Sequence, residues 1–121
     1  MARIPALPPK LFRTRNSQRD ANTDLDRLMR VRRTIAAAIE DATRERLGLQ
    51  QRLDAYHAQA ASLLDNSGEY AERRSEDEQS IREAEDNAAL ATKRIGQIDT
   101  QIARLGDMLT ELDRTLGGGT A

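Results

Sequence analysis

The sequence predicts an all-α fold in which two long helices form an antiparallel coiled-coil hairpin. Two stripes of seam residues recur at alternating steps of three and four, which is the heptad spacing. Of their 26 positions 22 are apolar, whereas a chain that is 38% hydrophobic would supply about ten by chance. The apolar members are Ala21, Leu25, Leu28, Ile35, Ile39, Ala42, Leu49, Leu53, Tyr56, Ala60 and Leu63 in the first stripe, and Ile81, Ala84, Ala88, Ala91, Ile95, Ile98, Ile102, Leu105, Leu109, Leu112 and Leu116 in the second.

The two stripes fit each other when one runs backwards. In an antiparallel pair every a position faces a d position, so the numbers of facing residues add to a constant. That constant is 137 for six apolar pairs, of which Leu25 with Leu112 is the outermost. Half of it falls next to Gly68, in the turn-forming segment Asp65-Asn66-Ser67-Gly68. We therefore predict a hairpin over 20–116 with its turn near 66–70.

The chain before the first helix, residues 1–19, is predicted to be a flexible basic arm. Three prolines block a helix there and favour extended backbone. The arm's charged residues are all basic, and the first acid of the chain is Asp20. The first helix is expected over about 18–66, with Ser17 or Thr23 as its N-cap.

The second helix is predicted to run from about 70 to 116. Its start is open, because Ser75-Glu76-Asp77-Glu78 matches a capping box and would place the first turn near 75. Three glycines from Gly117 onward end the helix, and 117–121 is predicted to be a flexible tail.

Side-chain size differs along the seam. Leucine and isoleucine pairs fill the layers at the open end, where the two chain termini meet, so we expect that end to be the more stable. Arg32 and Arg46 interrupt the first stripe. We expect their stems to pack in the seam while their guanidinium groups reach water, the alternative being a carboxylate brought by a partner.

Apolar residues outside the seam leave a second interface open. A single seam hardly offsets the entropy of ordering two long helices. These residues are either ordinary flanking positions or a second contact surface. Such a surface would pack against a second hairpin, which gives a four-helix bundle, or against another protein. They are Met29, Val31, Leu47, Leu64, Leu90 and Met108.

Charge disfavours a nucleic-acid role. The net charge is −1 and only 2% of residues are aromatic, so the arginines lack stacking partners. Residues 1–60 are net basic and 61–121 net acidic, which attracts the two helices to each other. The acidic residues concentrate at 69–86, near the predicted turn, as a second candidate surface. Binding of the basic arm to nucleic acid or to an anionic membrane surface stays the alternative.

The arm carries the best local signal for protein binding. Pro5-Ala6-Leu7-Pro8-Pro9-Lys10 matches a polyproline ligand pattern, and Phe12 is the chain's one phenylalanine, for which the seam has no place. The alternative is a leader that binds nothing. The candidate partner-binding residues are Ile4, Leu7, Leu11, Phe12, Arg13, Arg15, Arg19, Arg27 and Arg30.

No catalytic, metal or cofactor site is expected. The chain has no cysteine, a single histidine (His57) and no glycine-rich phosphate loop. The segment from Tyr56 to Ser62 is only distantly similar to the motif of histidine phosphotransfer domains, because it lacks the lysine and glycine that normally follow the histidine.

Two families of helical hairpin offer comparisons of shape. The hairpin over about 20–116 is similar in outline to the coiled-coil stalk proteins of flagellar and type III export machines, whose helix ends meet at one pole. It differs from the small secreted Trp-x-Gly hairpins, because its turn reads Asn66-Ser67-Gly68. The resemblance to the stalk proteins implies a stalk or adaptor role and assigns no site residues.

The sequence thus predicts a non-enzymatic adaptor, stalk or scaffold subunit. It would bind a protein partner through the arm and the open hairpin end, and it is a candidate homo-oligomer. No apolar run approaches a membrane span, and the prolines near Met1 do not resemble a signal peptide, so a cytoplasmic location is expected. Of 19 basic residues only Lys10 and Lys93 are lysine, a bias typical of GC-rich bacterial genomes.

Overall fold

The protein, in a computed structural model, is an all-α helical hairpin. The structure describes residues 16–67 and 75–117, which contain helix α1 (Ser17–Ser67) and helix α2 (Ser75–Gly117). The helices pack along one another in opposite directions, since residue 32 of α1 contacts residue 113 of α2 and residue 46 contacts residue 99. Predictions for residues 1–15, 68–74 and 118–121 lie outside the described residues.

Helix α1 begins one residue earlier than predicted, and its N-cap is a different residue. The side-chain Oδ1 of Asn16 accepts a hydrogen bond from the backbone N–H of Gln18 at 2.8 Å, and its carbonyl accepts one from the N–H of Asp20 at 3.0 Å. Ser17 is already helical, and the Thr23 hydroxyl donates to the carbonyl of Arg19, so neither is the cap. Asparagine is among the strongest N-cap residues. The helix thus includes the last three residues of the predicted arm.

The remaining helix ends follow the turn chemistry. Helix α2 begins at Ser75, the later of the two predicted starts, with acidic side chains in its first turn. Helix α1 continues through Ser67, so the predicted turn at 66–70 starts no earlier than residue 68. Gly117, assigned to the tail by sequence, is the last residue of α2.

The seam is the one that the stripes predict. Each described residue with a buried apolar side chain belongs to a predicted stripe, and Ile98, opposite Ile39 in the predicted register, is completely buried. The prediction of core positions is therefore confirmed for these residues: Ala42, Ile81, Ala84, Ala88, Ala91, Ile95 and Ile98.

Burial is distributed unevenly along the seam, and the greater stability of the open end stays a prediction. The buried residues of α2 lie between Ile81 and Ile98, whereas Leu25 near the open end is 47% exposed. Four of the seven buried residues are alanines, whose small side chains are covered by one facing helix, while a leucine in a two-helix seam protrudes beyond it. The leucine-rich open end consequently keeps apolar surface in contact with water.

Candidate interaction surfaces

Two edges flank the seam, and they differ in chemistry. On one edge, here called the Arg–Asp edge, arginines of α1 reach aspartates of α2: Arg32 with Asp113 and Arg46 with Asp99. On the other, the groove edge, the ion pair of Glu45 with Arg94 stands between two apolar grooves. Residues at heptad positions e and b lie on the Arg–Asp edge, and residues at g and c lie on the groove edge.

Each of the two ion pairs on the Arg–Asp edge is held by two hydrogen bonds. Arg32 donates from Nε and Nη2 to the two carboxylate oxygens of Asp113, at 2.7 and 3.3 Å. Arg46 donates in the same way to Asp99, at 2.5 and 3.4 Å. The hydrogen bond from Arg32 lowers the pKa of Asp113, and the hydrogen bonds to Asp113 and Asp99 raise the pKa of Arg32 and Arg46. Each pair holds its arginine in the fork geometry that suits a carboxylate.

These pairs add to the sequence interpretation of the seam arginines. The side chains of Arg32 and Arg46 are 37% and 39% exposed, as expected of groups that reach water. The carboxylate that each one meets comes from the chain's own second helix and not from a partner. The spacing of the sequence contains the missed signal. Arg32 and Arg46 are fourteen residues apart, and so are Asp99 and Asp113, so in an antiparallel pair both ion pairs form in one register.

On the groove edge, an ion pair between Glu45 and Arg94 spans the helices. Arg94 donates from Nε and Nη2 to the carboxylate of Glu45 at 2.9 and 3.2 Å, and from Nη1 to the side chain of Gln97 at 3.4 Å. The hydrogen bond from Arg94 lowers the pKa of Glu45, and the same bond raises the pKa of Arg94.

Apolar grooves lie on either side of this ion pair. The groove at the open end is lined by Val31, Ile35, Met108, Glu111, Leu112 and Thr115. The groove towards the turn is lined by Leu49, Arg52, Tyr56, Asn87, Leu90 and Ala91. Val31 is 50% exposed, Met108 54% and Leu90 66%, so large apolar side chains of this edge face water. The sequence predicts all three as apolar residues outside the seam, but their shared position on one edge was not predicted.

Most of the predicted partner-binding residues lie outside the described residues, namely Ile4, Leu7, Leu11, Phe12, Arg13 and Arg15. The others are exposed on α1: Arg19 in its first turn, then Arg27 and Arg30. Arg27 forms an ion pair with Asp24 at 3.5 Å, which reduces its availability to phosphate. The structure therefore places the last three candidates at the open end.

The acidic surface that the sequence predicts near the turn is present in part. Helix α2 opens with three acidic residues, and a shallow depression nearby is lined by Ser75, Glu78, Gln79, Arg82, Glu83 and Asp86. Glu69 and Glu72, which belong to the same predicted surface, lie outside the described residues.

Two further observations concern the described part of the chain. Within 16–67 and 75–117, no three histidine, aspartate or glutamate side chains are grouped closely enough to hold a metal ion. Over the same residues, neither helix has a stretch that is both long and apolar enough to cross a membrane. His57 is exposed on α1.

The chain matches no protein-family model, no curated protein and no solved structure.

Proposed function

We propose that this chain is a non-enzymatic adaptor, stalk or scaffold subunit that binds a protein partner through its N-terminal arm and the open end of the hairpin. The observation that carries the proposal is the apolar surface that the hairpin keeps exposed at its open end. There Leu25 of the seam is 47% exposed, at the same end of α1 as Asn16, where the arm joins the helix. Apolar surface that is left exposed beside polar residues is typical of a protein-binding surface.

Rigidity supports the same proposal. The Arg32–Asp113 ion pair joins the two helices near the open end, so the exposed apolar side chains there are held on two connected helices. Binding to a fixed surface costs less conformational entropy than ordering that surface on contact. A cytoplasmic, bacterial setting is part of the proposal and fits a chain that is 32% charged and rich in arginine.

The alternative, a basic arm that binds nucleic acid or an anionic membrane surface, has less support. Arg32 is held by Asp113 and Arg27 by Asp24, so the basic turns of α1 are partly neutralised within the chain. Electrostatic binding to phosphates needs several uncommitted cations and weakens steeply with salt.

Co-purification from the native cell distinguishes these functions. The variants are Leu7→Ser with Phe12→Ser, and separately Arg13→Gln with Arg15→Gln, each compared with Leu64→Ser on the Arg–Asp edge. A protein recovered at high salt, and lost only with the apolar pair, supports the adaptor. Salt-sensitive binding lost with the arginine pair supports the alternative.

Deletion of the arm gives the decisive control. The deletion ends at residue 14, because Asn16 caps α1 and its loss would shorten the helix. Partner binding that is unchanged by this deletion contradicts both functions.

A further inference from the structure

The groove edge is an apolar surface of the hairpin that the described chain leaves uncovered. Single exposed apolar side chains are normal in proteins. Here Val31, Met108 and Leu90 line two grooves on the same edge, one on each side of the Glu45–Arg94 ion pair. Apolar side chains that line neighbouring grooves are typical of a contact surface.

We propose that a second copy of this chain occupies the groove edge, giving a four-helix bundle of two hairpins side by side with their turns at the same end. The inference deepens the proposed function, since it assigns one interface of the subunit to self-association. Arg19 and Arg30, at heptad positions b and f, lie outside this edge and would stay available to the protein partner together with the arm.

The proposal follows from the way in which the edge complements itself. A rotation of 180° about an axis parallel to the helices sets α1 of one copy against α2 of the other. It leaves each residue at the same height along that axis, and residues at one height share a level. Residues at the same level have numbers that add to 138 or 139, as Glu45 and Arg94 do in the structure. The rotation therefore brings each residue of α1 on this edge to its same-level counterpart in the second copy.

Under this rotation, the exposed apolar side chains meet apolar side chains or open space in the second copy. Val31 comes to face Met108 of the second copy, which joins the two open-end grooves into one core layer. Leu90, the most exposed of the large apolar residues, comes to face Gly48. A Cβ placed on Gly48 would meet no atom of the surrounding chain within 4 Å, so there is open space for the leucine. Gly48 otherwise only weakens α1, because glycine is a poor helix former.

Charged side chains are complementary under the same rotation. Arg27 comes to face Glu111, and Glu45 comes to face Arg94, each in the second copy. These contacts would extend ion pairs that exist within one chain, namely Arg27 with Asp24, Glu111 with Arg114, and Glu45 with Arg94. No like charges meet at the other levels of the described helices, where the pairs are Asp24 with Thr115, Thr34 with Arg104, Ala38 with Gln101, Asp41 with Gln97, Arg52 with Asn87, Ala55 with Glu83, Gln59 with Ser80, and Ser62 with Glu76. Charge matching of this kind selects one partner and one register.

The Arg–Asp edge is the less suitable surface for this contact. A second helix would have to desolvate two inter-helix ion pairs there, Arg32 with Asp113 and Arg46 with Asp99, whereas Glu45 with Arg94 is the pair it would desolvate on the groove edge. The Arg–Asp edge also carries an exposed leucine, Leu47, which is 58% exposed and serves as a matched control for Leu90.

Sedimentation velocity on the full chain tests the proposal. We expect a dimer for the unchanged chain and for Leu47→Lys, and a folded monomer for Leu90→Lys and Met108→Lys, with helicity checked by circular dichroism. All three side chains are more than half exposed in the hairpin, so the changes leave its fold intact. A monomer or any assembly other than a dimer for the unchanged chain, or dissociation caused equally by Leu47→Lys, overturns the proposal.

Cross-linking tests the orientation, because the chain has no native cysteine. Under oxidising conditions, a mixture of Gly48→Cys and Leu90→Cys chains should form a disulfide-linked pair, and neither variant should do so alone. A linked pair in each variant alone, or none in the mixture, overturns the arrangement. Both measurements use the chain by itself, so their failure leaves arm-dependent partner binding, tested separately by co-purification, unaffected.

Discussion

Arg46 of α1 donates two hydrogen bonds to the carboxylate of Asp99 on α2, at 2.5 and 3.4 Å. Arg32 and Asp113 repeat this relation fourteen residues away on each helix, nearer the open end. Side chains on a helix tilt towards its N-terminus, so on antiparallel helices the arginine and the aspartate lean towards each other. The pairs fix the register of the hairpin at seam positions that apolar packing leaves unfilled.

Reversing the charges of one ion pair tests whether its two side chains stabilise the hairpin by attracting each other. We expect Arg46→Asp and Asp99→Arg each to lower the midpoint of urea unfolding, because each places like charges side by side on the Arg–Asp edge. The double variant, which restores an ion pair with the charges exchanged, should recover most of the loss. A double variant as unstable as the sum of the single ones would show that the two side chains do not interact.

Acid should weaken the hairpin through Glu45 and Asp113. Hydrogen bonds from Arg94 and Arg32 lower the pKa of these two groups in the folded chain. A carboxyl whose folded pKa is depressed stabilises the fold above its unfolded pKa of about 4, and this contribution is lost as the pH falls through the folded value. Urea midpoints measured between pH 7 and pH 2 should therefore decline below about pH 4.

The variants Glu45→Gln and Asp113→Asn identify the groups responsible. Each should have a lower midpoint than the unchanged chain at pH 7 and a shallower decline in acid. Added salt should reduce the difference at pH 7, because both pairs are close to water. Identical acid profiles for the unchanged chain and both variants would contradict this assignment.

Core truncations should cost more in the middle of the seam than at the open end. Ile98→Ala should lower the free energy of unfolding by roughly 2–4 kcal/mol, because the side chain is completely buried. Leu25→Ala should cost roughly 1 kcal/mol, since 47% of that residue is already exposed. Urea unfolding of both variants checks the order, and a larger loss at Leu25 would support the stability that side-chain size alone predicts.

The N-cap of α1 gives a local test. Asn16→Ala should lower the free energy of unfolding by about 1 kcal/mol, because it removes the acceptor for the N–H of Gln18. Ser17→Ala and Thr23→Ala, at the caps predicted from sequence, should change it by less than about half of that. A loss of unfolding free energy confined to Ser17→Ala or Thr23→Ala would show that the helix is capped at that residue instead of at Asn16.

The fold was predictable because its signal is redundant. Eleven apolar residues in each stripe specify the same seam, so interruptions such as Arg32 do not obscure it. The cap and the ion pairs each rest on one or two side chains, and the sequence permits several choices. Asn16, Ser17 and Thr23 are all good caps, and only the packed helices show which one is used.

The candidate surfaces were predictable only in composition. The sequence identifies Val31, Leu90 and Met108 as apolar residues outside the seam. Their convergence on one edge follows from heptad positions g and c once the antiparallel register is known, and the contact of Glu45 with Arg94 shows that edge in the structure. A heptad pattern gives the seam face of a helix directly, whereas the use of either flank depends on a partner that the pattern does not describe.

Gly48 and Gly96 separate helix propensity from self-association. Both lie inside helices, on opposite edges of the hairpin, and a Cβ on either would meet no surrounding atom within 4 Å. Gly48→Ala and Gly96→Ala should each raise the free energy of unfolding of the monomer by roughly 0.5–1 kcal/mol. Because only Gly48 faces Leu90 of the second copy in the proposed bundle, only Gly48→Ala should also weaken the dimer. Urea unfolding at low concentration and sedimentation at high concentration measure the two effects, and equal weakening of the dimer by both variants would place Gly48 outside the interface.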